Sequence, residues 1–486
     1  MIIMLKNMKD IIKRLKKDTS NLDDIIYREM KIGMKKICII YNEPLTSSDK
    51  ISDFIIRSLD KIKAFTSYKL YEKIKNNISN FKVDEIENYE DLCFYLHKGF
   101  TIILVENEPK ALALETKASL ARSVSEPSVE NTLRGARDSF VEDFQTNLGL
   151  IKKRIKTNDL WIDKMNIGKY TNTSVGVLYI NSIVKYDLVN EVKKRLNQID
   201  ISGIINSGTI KNLLVDEKIK FPTVLSTERP DVVSDALLQG KVAIVIDNSP
   251  FVLIVPAILN DFFKTMEDEY GKDSNVTFTR IIKALAFIIS IMTPAVYISL
   301  ITYNQEMIPT DLLVSFAAQR DGVPFPAFVE ALMMIISFEI LREADLRVPS
   351  TAGSALSIVG ALILGDAAVN AGIVSPIMII VIAITAISSL PFNELEFMNT
   401  LRIYRLLFMV GAVLMGMIGV IIVFIIFVIR ICSIESFGKP YLMPLVPIDI
   451  NGLKNSIVKL PVKLISKRPE YLSNNTIDQR SRDSEK

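Results

Sequence analysis

Hydrophobic and polar positions divide the chain into two unlike halves. In the first, apolar residues come in short bursts. Lys36 to Tyr41 (KICIIY) and Thr101 to Glu106 (TIILVE) have strand length, and Ala111 to Glu115 follows the second across Asn107, Glu108 and Pro109, a hairpin turn by composition. Between them Ile51, Phe54, Ile55, Leu59 and Ile62 recur at helical spacing, predicting an amphipathic helix within 49–75. Phe140, Phe144, Leu148 and Ile151 predict a helix over 140–155 whose basic end suits its dipole. A second unit of the same kind follows: a strand over 175–184, a helix over 188–196, a helix from Pro230 towards Gln239, and two strands in 241–256 separated by Asp247, Asn248 and Ser249. The expectation is an α/β N-terminal region of two subdomains, 35–165 and 166–267. A Lys- and Asp-rich arm, 1–34, helical or disordered, precedes them, and a polar linker, 268–279, follows.

The second half reads as an α-helical multi-pass membrane domain, 280–435. No charge falls between Lys283 and Glu306, enough for a crossing with Pro294 inside it, nor between Arg405 and Arg430, where 406–429 reads as the last span with Ala412 and Gly416 as a small-residue contact pair. Segments 353–371 and 374–390 are apolar and joined near Gly372 and Pro376. In 325–347 the apolar pattern is interrupted by Glu330 and Glu339 and ends in Arg342, Glu343, Asp345 and Arg347, so it reads as an interfacial or re-entrant helix lining a vestibule. The tail, 436–486, is basic. The first residues lack the apolar core of a signal peptide, so both ends are expected in the cytoplasm, and four spans plus one re-entrant helix satisfy the even count. That arrangement leaves Arg342, Arg347, Arg402 and Arg405 on the outer side, against the usual bias.

Composition removes several function classes. A net charge of +3 and no recognisable motif argue against a nucleic-acid partner. Cys38, Cys93 and Cys432 are far apart, and His97 is the single histidine, so neither a metal site, a disulfide framework nor a catalytic constellation is expected, and no cofactor is implied. The glycines form no phosphate-cradling loop.

Candidate chemistry centres on Asp366, the only charged side chain between Arg347 and Glu394. At about 100° per residue, Ala355, Val359, Leu362, Asp366 and Asn370 share one helical side, while Gly353, Ser357, Gly360, Ala361 and Ala368 share the other, a packing face. One reading lines a water-filled path with the Asp366 side, Val359 and Leu362 forming a dewetting constriction. The other has Asp366 cap a helix break near Gly365 and Gly372. One sparsely polar helix cannot enclose water alone, so a pore demands several copies around an axis. Glu330, Glu339 and Glu343, with Arg342 among them, are then vestibule charges that concentrate cations.

The stretch NQEMIPTDLLVSFAAQRDGVPFPAFVEALMMIISFEILREADLRVP, followed by SIVGALILGDAAVNAGIVSP, resembles the A subunit of the GerA family of spore germination receptors, and the likeness extends from about Glu126 to about Arg430. TERPDVV and VAIVIDNSPFVLIVPA belong to it. So do Arg134, Gly135 and Arg137 with Phe140, Val141 and Glu142, although Ala136 stands where the family signature has proline. The resemblance implies a nutrient-responsive complex in the inner membrane of the spore. It implies a ring of A subunits, a pentamer, that conducts small ions when a transporter-like B subunit binds the germinant, with a C subunit lipoprotein and membrane lipids as further partners. Arg134 and Arg137 are read either as bridges between subunits or as solvated turn residues. A secondary transporter and a non-conducting scaffold for the other subunits remain alternatives.

Overall fold

The structure, a computed structural model, describes residues 8–18, 24–33, 35–60, 62, 70–78, 83–118, 127, 130, 135–216, 219–265, 267–345, 363–392, 394–449, 452–453, 458–459 and 468–473. Ten strands form two antiparallel sheets. The first holds β1 (Ile25–Ile32), β2 (Lys35–Asn42), β3 (Val83–Ile86), β4 (Phe100–Val105) and β5 (Ala111–Glu115) in the order β1-β2-β4-β5-β3. The second holds β6 (Leu160–Ile167), β7 (Thr173–Ile180), β8 (Leu225–Thr227), β9 (Val242–Ile246) and β10 (Val252–Val255) in the order β6-β7-β9-β10-β8. The two orders are the same: a hairpin, a third strand carried to the far edge, and a second hairpin inserted between.

Strand periodicity sends alternate residues to opposite faces, and here both faces are covered. Ile37 and Ile39 join Ile103, Val105, Leu112 and Leu114 against Ile55, Leu59 and Ile74. Cys38 and Ile40 point the other way, into a core shared with the second sheet through Leu178, Ile180, Ala243, Val245 and Ile254. Helices Met8–Asp18, Tyr89–His97, Phe144–Arg154 and Pro230–Leu238 supply that core with Leu15, Leu92, Leu148 and Leu237. On the far side of the second sheet, Val177, Ile244 and Leu253 meet Leu188, Val192 and Ile210. Burial on both faces is why these strands read as unbroken apolar runs. The hairpin turns fall where Asn107 and Asn248 take positive φ, 61° and 62°, a region asparagine tolerates.

Several expectations shift. The 1–34 arm contributes the Met8–Asp18 helix and the edge strand β1, and β6 straddles the expected 165/166 boundary, pairing with β7 from Leu160 to Ile167. The helix of 49–75 is two pieces among the described residues, Ser48 to Asp60 and Leu70–Asn77. The helix foreseen from 140 starts at Phe144, because Asp143 caps it by accepting from the Thr146 N–H at 2.6 Å.

The C-terminal half is built on the 30-residue helix Asp273–Thr302, which includes Pro294. Ala327–Asp345 is one continuous helix of 19 residues, about 28 Å long. A helix over 363–370 leads through Gly372 to Pro376–Ile387. Helix Leu395–Cys432 breaks at Gly416, where φ is 59° and ψ is −138°. Across that point the Tyr404 and Phe427 rings meet at 4.8 Å, and a Cβ on Gly411 would lie 2.7 Å from the Val423 side chain. Residues on opposite sides of Gly416 therefore touch, so the chain reverses there into a helical hairpin. This corrects the single span foreseen over 406–429. From Arg405 to Gly416 the rise is about 16 Å, and from Gly416 to Arg430 about 21 Å, each short of a ~30 Å hydrocarbon layer. It also corrects the contact pair: Gly416 is the turn, and the close approach is between Gly411 and Gly419. Tyr303 holds the tip, donating from its hydroxyl to the Val413 carbonyl at 2.6 Å, while Asn304 Oδ1 accepts from the Met417 N–H at 3.0 Å. Asp273–Thr302 is long and apolar enough to cross a membrane by length and composition, whereas Leu395–Cys432 meets that measure only when its two arms are counted as one run. The hairpin exposes Leu414, Ile418, Ile425 and Ile429.

Gly416→Ala puts a Cβ 2.8 Å from Tyr303 Cβ and Asn304 Oδ1, in a backbone region that side chains avoid. It is expected to cost about 1–3 kcal/mol of stability from the backbone alone, read as a lower thermal unfolding midpoint of the detergent-solubilised chain. Gly322→Ala, also at positive φ but with nothing within 4 Å, is expected to cost clearly less, and equal losses would contradict the packed turn.

Candidate functional site: a polar helix face and the charged knots beside it

The 363–370 helix buries Gly365 and exposes Asp366 and Asn370, one turn apart on the same side. Among the described residues Asp366 has no ionic partner. Ala355, Val359 and Leu362, the rest of the expected lining, lie outside the described residues, as does Arg134. Arg137 is exposed in the extended stretch before Phe140, well apart in sequence from the membrane helices.

The expected vestibule charges do something different. Glu330 is fully buried. Its Oε1 pairs with Arg320 Nη2 at 3.2 Å, and its Oε2 accepts from the Ser375 N–H at 3.0 Å and the Ser375 hydroxyl at 2.8 Å. A buried carboxylate needs such donors, and one satisfied this way ties three segments together instead of facing an aqueous mouth. Glu339 faces three guanidiniums: Arg402 at 2.8 Å, Arg405 at 3.9 Å and Arg342 at 4.0 Å. Arg405 is buried and also donates from Nε to the Ser290 carbonyl at 2.8 Å, while Arg342 Nη2 lies 3.1 Å from Met398 Sδ. Glu343 is exposed. Within the chain, then, Glu330 is paired with Arg320 and Glu339 faces three cations. Arg342, three residues along the same helix, makes the longest of the three contacts.

Sequence reasoning missed the junction between the α/β units and the hairpin. Lys211, buried on the helix Ser207–Leu214, pairs with Glu394 at 2.7 Å and Glu396 at 3.0 Å, at the start of the hairpin. Thr400 donates from its hydroxyl to the Lys220 carbonyl at 2.6 Å. The signal was present: Lys211 follows Ile210 and precedes Leu214 on an apolar face. Phe221 fills the same junction, its ring 5.4 Å from Tyr404, 6.1 Å from Phe397 and 5.8 Å from Tyr441.

Beside it, Glu130 accepts from the Thr227 hydroxyl at 2.7 Å. Burial pushes its carboxyl up to about 7, the Thr227 bond opposing and Glu394 adding to the rise. An acid raised in the folded state holds a proton that the unfolded chain has released. Its contribution is therefore present below the ordinary carboxylate range and is lost as pH rises towards about 7. Glu130→Gln is expected to flatten the fall in unfolding midpoint between pH 5 and 7, and an unaltered slope would refute the assignment. At the Glu330 knot, Arg320→Ala is expected to cost about 3–5 kcal/mol by leaving a buried carboxylate short of its cation. Arg320→Ala combined with Glu330→Gln should recover much of that loss in thermal unfolding.

The family described as Bacillus/Clostridium GerA spore germination protein matches residues 13–471. Spore germination protein KA of Bacillus subtilis (strain 168) is 39% identical over 97% of this chain and 88% of its own length. Spore germination protein GerLA of Bacillus cereus is 32% identical over 96% of each chain. The crystal structure of the N-terminal domain of the A subunit of the Bacillus megaterium spore germinant receptor GerK3 aligns with a TM-score of 0.42 at 32% identity, covering 53% of this chain and 98% of that one.

Proposed function

The chain belongs to the GerA family of spore germination proteins, as a germinant receptor A subunit, and from that premise we propose that copies of it form a ring, a pentamer, that conducts small ions across the spore inner membrane to start germination. The observation that carries this reading is the exposed pair Asp366 and Asn370. A carboxylate on an otherwise apolar helix costs about 2.5 kcal/mol or more at mid-membrane, so its favourable setting is water or another subunit. A ring supplies both, with Ala355, Val359 and Leu362 continuing the lining. The partners in this proposal are a transporter-like B subunit that binds the germinant and a C subunit lipoprotein. The α/β units lie on the cytoplasmic side and act on the hairpin through Lys211 and Phe221.

The second reading, a non-conducting scaffold for the other subunits, is favoured by that same junction, which fastens the α/β units to the membrane helices. Ion flux separates the two. In proteoliposomes holding the whole receptor, Asp366→Asn is expected to change ion selectivity several-fold, and Val359→Ala or Leu362→Ala to leak without ligand. Normal assembly with unchanged flux in all three variants supports the scaffold and overturns the pore.

A further inference from the structure

Where the hairpin meets the second α/β unit there is a cavity of about 750 Å³. Ile403 and Leu407, one turn apart on the first arm, and Ile426 on the second make its apolar wall. Lys220, Arg430, Asp216, Glu435 and Tyr404 also line it. A third cation, Arg195, reaches the cavity but is already engaged: Nε on Glu191 at 2.7 Å, Nη1 on the Leu214 carbonyl at 2.9 Å, and its plane over the Phe437 ring. Among the described residues neither the Lys220 ammonium nor the Arg430 guanidinium has a hydrogen bond or ion pair. The cavity therefore brings apolar side chains and uncommitted cations together at the base of the hairpin, where the chain leaves its apolar stretch.

We propose that this cavity holds a glycerophospholipid of the surrounding bilayer. Its phosphodiester takes Lys220 and Arg430, since cations hold phosphate oxygens by charge-assisted hydrogen bonds and basic pockets at the cytoplasmic face of membrane helices accept such headgroups. An acyl chain lies along Ile403, Leu407 and Ile426, with Tyr404 at the interfacial level that aromatic residues favour. Asp216 and Glu435 select the headgroup: they accept from a glycerol hydroxyl or an ethanolamine ammonium, whereas choline has no such donor. Inorganic phosphate uses none of the apolar wall. The inference rests on the reading that the hairpin lies in a membrane.

The test is native mass spectrometry of the full-length chain in detergent, with phosphatidylglycerol, phosphatidylethanolamine, phosphatidylcholine or inorganic phosphate added singly. Retention of one phosphatidylglycerol or phosphatidylethanolamine is expected, with little phosphatidylcholine and no phosphate. Lys220→Gln with Arg430→Gln is expected to weaken lipid affinity about a hundredfold, the effect of losing two charged hydrogen bonds of ordinary strength, while Lys220→Arg retains it. Leu407→Trp, which fills the apolar wall and leaves both cations in place, is expected to exclude lipid too, so the result does not hang on one variant's folding. Equal retention of phosphatidylcholine, binding of phosphate alone, or retention unchanged in both the double variant and Leu407→Trp overturns the proposal. Alkaline extraction of membranes that carry the full-length chain separates the two readings. A chain that stays in the membrane yet holds no lipid sinks this inference alone; one that is extracted sinks the membrane reading as well.

Discussion

A backbone at φ 59° and ψ −138° is open to glycine and closed in practice to other residues, and at Gly416 it turns an apolar run of spanning length into two arms that return to the side they came from. The rest of the C-terminal half follows from that reversal. It brings Arg405 and Arg430 to the same end of the hairpin, sets Arg402 and Arg405 around Glu339, and places Tyr404 against Phe427. It also fixes what the tip can touch. Tyr303 and Asn304, just past the end of the Asp273–Thr302 helix, supply a hydroxyl donor and an amide oxygen for backbone groups that the break leaves without helical partners.

The base of the hairpin is held by two forces of different kinds. Lys211 with Glu394 and Glu396 is polar and directional, and buried cations on carboxylates tolerate little displacement. Phe221 is apolar and sits fully buried among Phe397, Tyr404, Phe427 and Tyr441. Both come from the second α/β unit. A shift of that unit thus bears directly on the hairpin, while Glu330 and Ser375 keep the neighbouring helices in register.

Much of the α/β fold was legible because its central strands are buried on both faces, and runs such as KICIIY and VAIVI leave little else to propose. The edges were not. β3 and β8 have four and three residues, too short for a pattern, and β1 mixes exposed and buried positions. In the second half, composition identified the apolar segments but not their path: 406–429 carries the same uncharged signal whether it spans or folds back, and the distinction lies in one dihedral pair at Gly416. Asp366 and Asn370 were legible as a shared face, since four-residue spacing suffices. The fate of Glu330 and Glu339 was not. Their partners, Ser375, Arg402 and Arg405, lie far along the chain, and a local reading sees only the acid and its nearest cation.

The identical strand orders of the two sheets, met across one shared core, have a mechanical consequence. Among the described residues, helices such as Phe144–Arg154 and Pro230–Leu238 are packed in the core that the two sheets share. Such a stack gives by sliding, layer over layer in steps of an ångström or so, far more readily than by bending. A stimulus arriving at the outermost layer would emerge at the membrane as a small sideways displacement, and the ring of Phe221 is the point that would carry it.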